Sequence, residues 1–271
     1  MTGIAERDEL LRITCLTAAY LRGECRPDVE NIRTAVTPDM GADAEAGWAA
    51  VARETPHQPE ETSNTPPLAH NPDTKNTRAD AAGALEALRD SFKDCQRCAI
   101  AQNRRNLVFG QGNANARLMI IGEGPGEQED IQGIAFCGPS GELLTKMLAA
   151  INLSRDEVYI ANVIKCRPPG NRNPLPEEAA NCREYIDRQI DIIKPAIICT
   201  AGGVAAKTLL GTEVGIMRLR GTLQKYRGIT VVPTYHPSFL LRDPRHKKDA
   251  WIDLQLIQRL LAESSQQSGG A

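Results

Sequence analysis

Aromatic residues are scarce in this 271-residue chain: Phe, Tyr and Trp together make up 4%, with only 4 Phe. An aromatic ring beside a polar loop is therefore informative. Long apolar runs are missing too. The longest, such as 118-LMII-121 and 229-ITVVP-233, are strand-sized, far below the ~18 residues of a membrane span. That predicts no membrane partner. The opening MTGIAERDELLR is charged from the start and lacks a signal-peptide apolar core. The cytoplasm is the expected compartment, where the 8 cysteines are expected as thiols or metal ligands rather than disulfides. Histidine is rare, with 4 in the chain and none between residues 71 and 235.

What is present suits a soluble globular protein of one to two domains, with 41% hydrophobic and 24% charged residues. The net charge of −2 hides a split: residues 1–90 net −7 and residues 91–271 net +5. The basic part is compatible with a polyanion partner and equally with ordinary surface scatter. Residues 1–25 are expected to hold an amphipathic helix over 4–22. Residues 26–80, with Pro27, Pro38, Pro56, Pro59, Pro66, Pro67 and Pro72, read as a disordered linker. Residues 81–265 read as one compact domain and 266–271 as a disordered tail. A monomer is expected.

That domain alternates strands and helices. Strands are predicted at 117–122, 158–163, 196–201 and 229–235, with continuous apolar runs that suit burial on both faces. Helices are predicted at 82–92, 140–150, 176–193, 203–210 and 249–263. The fold class is α/β: a three-layer α/β/α sandwich around a four-stranded, mainly parallel sheet. Ligands of such sheets bind outside the carboxyl ends of the strands. Polar and Gly-rich sequence collects there: 123-EGPGEQED-130, Asn162 with 165-KCRPPGNRNP-174, 202-GG-203 and 236-HPS-238.

The loop from Gly122 to Gly126 fails both common phosphate-binding patterns. Glu127 stands where the dinucleotide fingerprint needs Gly, no Gly-Lys-Ser/Thr ending follows, and its acids repel phosphate. Carboxylates on a tight turn suit positioning water or stabilising a developing cation; a solvated acidic turn is the plainer alternative. Cys95, Cys98, Cys166 and Cys182 form C-x2-C-x67-C-x15-C. Four thiolates can hold a structural zinc or an iron–sulfur cluster, and spacing alone does not separate the two. Cys199, inside an apolar strand, reads as core. His236 stands at the carboxyl rim, where it can hydrogen-bond a leaving-group oxygen. The Asn162 amide can read a base edge. Phe136 is either core or a stacking platform.

Taken together, 122-GEGPGEQEDIQGIAFCGPSGELL-144, 159-YIANVIKCRPPGNRNPLPEEAANC-182 and 234-TYHPSFLLR-242, with the four cysteines, resemble the type-4 uracil-DNA glycosylases. The resemblance covers about 91–263 and leaves residues 1–80 outside. It implies a DNA-repair hydrolase that flips uracil out of single- or double-stranded DNA and leaves an abasic site. A [4Fe–4S] cluster is implied on Cys95, Cys98, Cys166 and Cys182. The resemblance puts the catalytic acids on Glu123 and Glu129 and the motif histidine on His236. Gly124, Phe136, Asn162 and His236 would bind uracil. Arg242 is expected to contact phosphate beside Ser238, with Leu240 and Leu241 as a duplex wedge. The chain departs from the family at 134-IAFC-137, where a basic-Pro-Phe-Val run is usual. The alternatives are a non-catalytic relative and a branch that cross-links to its abasic product. That branch carries a basic insertion with an extra His where this chain reads 163-VIKCRPPGNRNP-174, with no His between 71 and 235. The N-terminal segment is a candidate docking element for a repair or replication partner.

Overall fold

Four apolar runs become four parallel strands at the centre of a six-stranded sheet. The computed structural model describes residues 80–268. The expected helix at 4–22, nearly all of the linker, Cys15 and Cys25 lie outside the described residues. The central strands are β2 (Leu118–Gly122), β3 (Tyr159–Asn162), β4 (Ile197–Ala201) and β6 (Ile229–Thr234). The expected count of four is corrected by two short edge strands. These are β1 (Gln111–Gly112), antiparallel to β3, and β5 (Gln224–Tyr226), antiparallel to β6. The order is β1-β3-β2-β4-β6-β5. Both edges are two or three residues long and partly polar, so neither shows as an apolar run.

Alternate strand residues feed two cores. Met119, Ile121, Ala161, Ile198 and Val231 pack on one face with α1 (Ala81–Phe92), α4 (Pro176–Ile193) and α5 (Gly203–Leu210). Leu118, Ile120, Ile160, Cys199 and Val232 pack on the other with α3 (Pro139–Ala150), α7 (Pro237–Arg242) and α8 (Lys247–Ser268). This is the expected three-layer arrangement, with Cys199 in the core as read. Helix α8 runs three residues into the expected tail, because Ser and Gln continue the helix and Gly269 is the first breaker.

Helix α4 shows why these segments are helical. Pro176 occupies its first turn, and the Glu178 carboxylate accepts the Leu175 N–H at 2.8 Å. Ala179, Cys182, Ile186, Ile190 and Ile193 then recur at helical spacing and are buried. Two shorter helices, α2 (Glu127–Gln132) and α6 (Ile216–Leu219), fall in stretches read as loop. Gly122 and Asn162 lie in register as the last residues of β2 and β3, so the loops carrying the motifs leave the sheet side by side.

Candidate active site

The strand-end loops surround a cavity of about 690 Å³. Its lining includes Glu123, Gly124, Glu129, Phe136, Asn162, His236, Ser238 and Arg242. Eight predicted residues from three distant motifs therefore meet in one place. Leu240 and Leu241 do not line it. Leu240 is 1% exposed and packs in the core with Leu144 and Leu254, so its expected role in a duplex wedge is corrected: no DNA can reach it. Leu241 is 44% exposed.

Asn162 is 2% exposed, and its Oδ1 has no hydrogen-bond partner. Among the described residues only Thr200 Oγ1 shares that condition as a buried side-chain polar atom. A buried acceptor without a donor is costly. In the cavity wall, an acceptor of this kind can take an N–H donor. Gly122 makes room for it. A Cβ there would lie 2.4 Å from Asn162 Oδ1 and 2.5 Å from Phe136 Cζ. Amide and ring both press on a backbone that tolerates no methyl. Phe136 is buried, at φ 52, with its ring centroid 5.5 Å from that of His236. Gly141 lets α3 approach the Phe136 carbonyl, which a Cβ would meet at 1.7 Å.

His236 caps α7. Its Nδ1 accepts the Ser238 N–H at 3.1 Å and lies 2.7 Å from Ser238 Oγ. An Nδ1 that accepts a backbone N–H carries no proton, so in the neutral ring the proton is on Nε2. Burial, reinforced by the nearby Arg242 cation, lowers the imidazole to about 4. The ring is thus a neutral donor. Ser238, expected at DNA, is occupied in orienting it.

The two acids separate by their partners. Glu129 Oε1 accepts the N–H groups of Cys137 and Gly138, each at 3.0 Å, and Oε2 accepts that of Gly126 at 3.1 Å. It ties the 124–126 turn to the 136–138 wall and is spent on backbone. The Glu123 carboxylate makes no hydrogen bond to protein, and burial pushes it above the usual carboxylate range.

Behind Asn162 lies a network that sequence reading missed. Lys165 is 1% exposed and its Nζ donates to the Asn162 carbonyl at 2.9 Å and to Gln189 Oε1 at 2.7 Å. Gln189 Nε2 donates to the Phe109 carbonyl and the Tyr159 hydroxyl. Burial brings the Lys165 ammonium down to about 7. The only signal was a lysine inside the apolar run 163-VIKC-166.

Cys95, Cys98, Cys166 and Cys182 gather in the other core, under α1 and α4. They are close enough to perturb one another electrostatically, and burial pushes Cys98, Cys166 and Cys182 up, Cys182 to about 11. Two donors aim at the sulfurs: Tyr185 Oη to Cys95 at 3.1 Å and Arg104 Nη1 to Cys166 at 3.4 Å. Among the described residues no three His, Cys, Asp or Glu side chains are grouped tightly enough to hold a single metal ion. Nor is any described helix long and apolar enough to cross a membrane.

Fold and cleft define an open-sheet α/β protein with a buried amide, an aromatic face and a neutral imidazole around one pocket at the strand ends. The chain belongs to the uracil DNA glycosylase superfamily, whose family model matches residues 109–255. Three curated relatives are named type-4 uracil-DNA glycosylases. That of Thermotoga maritima is 44% identical over 161 residues, 59% of this chain and 84% of the relative. That of Sulfurisphaera tokodaii is 42% identical over 187 residues, 65% of this chain and 84% of the relative. That of Archaeoglobus fulgidus is 37% identical over 187 residues, 65% and 94%.

Proposed function

We propose that the protein excises uracil from DNA by hydrolysing its N-glycosidic bond, leaving an abasic site. The observation that carries this reading is the unpartnered Asn162 Oδ1. Uracil offers a donor at N3 beside an acceptor at O4, which an amide matches with one oxygen and one N–H. With the amide held in this orientation, cytosine, whose N3 is an acceptor, would leave Oδ1 unpaired, so discrimination follows from buried polar groups left without partners. The target base must leave the duplex to enter the cavity. Phe136 stacks on the flipped ring. As the bond breaks, the base gains negative charge, and the His236 Nε2–H stabilises it at O2. Glu123, free of protein partners, orients the attacking water or stabilises the sugar cation. Glu129 holds the loop that presents it, and Arg242 takes a phosphate at the cavity mouth.

The four cysteines suit a [4Fe–4S] cluster as a structural group. Four neighbouring sulfurs, two with a donor aimed at them, fit an anionic thiolate set. When bound, the cluster supplies cross-linking of the loops at 95–98 and 166 to α4, and no step of the excision. A broad absorbance near ~400 nm in fresh protein tests it, since zinc is colourless.

The function is tested on an end-labelled oligonucleotide with one uracil. Breaks at the uracil that appear only after alkali, and are lost in Asn162→Ala and His236→Ala, are expected. No breaks from cluster-replete protein would overturn the reading.

A further inference from the structure

A second cavity, of about 610 Å³, lies away from the cleft. Arg89, Lys93, Arg104 and Arg105 line it with Gln96, Asn106 and Gly133, and no carboxylate does. Two of the four cations are already engaged. The Arg104 guanidinium donates to the carbonyls of Lys93 and Cys95 and to Cys166 Sγ, and that of Arg89 lies 5.7 Å from the Phe109 ring centroid. Lys93 and Arg105 are exposed, and among the described residues neither has an acid within ion-pair distance or a side-chain hydrogen bond. Elsewhere Arg97, Arg172, Arg183, Arg220 and Arg227 are each paired to a carboxylate. Unpaired cations in a concave, acid-free site attract a polyanion.

The groove is tied to the cleft by α2. Gly126, the N-cap of α2, lines the cleft, and Gly133, its C-cap, lines the groove. Asp130 of α2 accepts the Arg105 N–H at 2.9 Å through Oδ1, and Asn106 Nδ2 donates to the Asp130 and Ile131 carbonyls. The basic segment is thus pinned along the helix that starts at the catalytic loop. Six helical residues span about 9 Å, and one strand of duplex rises about 3.4 Å per nucleotide.

We propose that this groove is a second DNA-contact surface, in which Lys93 and Arg105 take backbone phosphates beyond the flipped nucleotide. It rests on the uracil-excision reading above. Such contacts position the strand and carry no sequence information. They place the groove outside the pocket chemistry, so its loss weakens binding and spares the turnover of bound substrate.

The test measures duplex binding between 50 and 200 mM salt for wild type and Lys93→Ala/Arg105→Ala, using a duplex whose uracil nucleotide resists hydrolysis. Each lost phosphate contact removes about 0.9 from the slope of log affinity against log salt. A slope shallower by about 1.8 is expected, with kcat at saturating substrate unchanged. Lys225→Ala removes one charge at the opposite sheet edge, on β5, and is expected to leave the slope as in wild type. Equal slopes for the double variant and wild type, in protein that excises uracil, overturn the groove and leave the cleft reading intact. A shallower slope in a protein that never excises uracil keeps the groove and removes the cleft reading.

Discussion

Two buried polar regions meet at Asn162, and they are built on opposite rules. In front, the side-chain amide has an orphan oxygen and the nearby Glu123 has no protein partner. Behind, the Asn162 carbonyl receives Lys165, and Gln189 links that ammonium to Phe109 and Tyr159. The rear region satisfies its groups within the protein; the front keeps some open for a ligand. Satisfied networks rigidify, while open ones carry the cost of waiting. Under the proposed function, the contrast separates residues that would act on substrate from residues that hold them.

Substitutions at the two regions are expected to have crossed effects. Asn162→Ala removes both pairing atoms, and excision is expected to fall on the order of 10³- to 10⁵-fold. Its urea midpoint should stay level or rise, because the orphan acceptor goes with the side chain. A large drop in that midpoint would show that the amide is structural. Gln189→Leu should do the reverse. It leaves the buried Lys165 with one partner and costs about 3 kcal/mol of stability. Excision by the folded fraction is expected to change by less than about tenfold. Loss of turnover with unchanged stability would erase the division.

The acids sharpen the same contrast on a smaller scale. Glu129→Ala strips three backbone N–H groups of their acceptor and is expected to cost about 2 kcal/mol. Glu129→Gln keeps one acceptor oxygen and should recover much of both stability and rate. Glu123→Gln should leave the urea midpoint level or raise it at neutral pH, since a buried charge is removed, and lower kcat. Rescue at position 129 with none at position 123 marks one acid as positioning and the other as catalytic.

The central strands were legible because burial on both faces leaves continuous apolar runs, and the rim motifs followed because parallel sheets bind ligands at strand ends. The edge strands were not, since pairing along one side only needs no apolar signature. Roles decided by three-dimensional partners were also hidden. Leu240 and Leu241 are identical in sequence, and only the turn of α7 puts one in the core. Glu123 and Glu129 both read as loop acids, and hydrogen-bond partners alone tell them apart. The Lys93–Arg105 groove joins residues from two segments whose proximity no local pattern encodes.

The smallest expected effect is on pH dependence, and it bears on whether the front region is held neutral. His236 is lowered to about 4 by burial and by Arg242, so it stays an uncharged donor at every pH above about 5. Glu123 is raised above the usual carboxylate range and must be ionised to act. The acid limb of kcat therefore belongs to Glu123 and not to His236. Stability shows the histidine instead. The unfolded chain protonates it below about 6.5 and the folded chain only below about 4, so between these values the unfolded state binds the extra proton. Stability is then lost as pH falls through that window. In His236→Gln the slope of urea midpoint against pH should be shallower between pH 6.5 and 4. A slope identical to wild type would mean that the imidazole titrates alike in the folded and unfolded chain and that the cleft does not reserve it as a neutral donor.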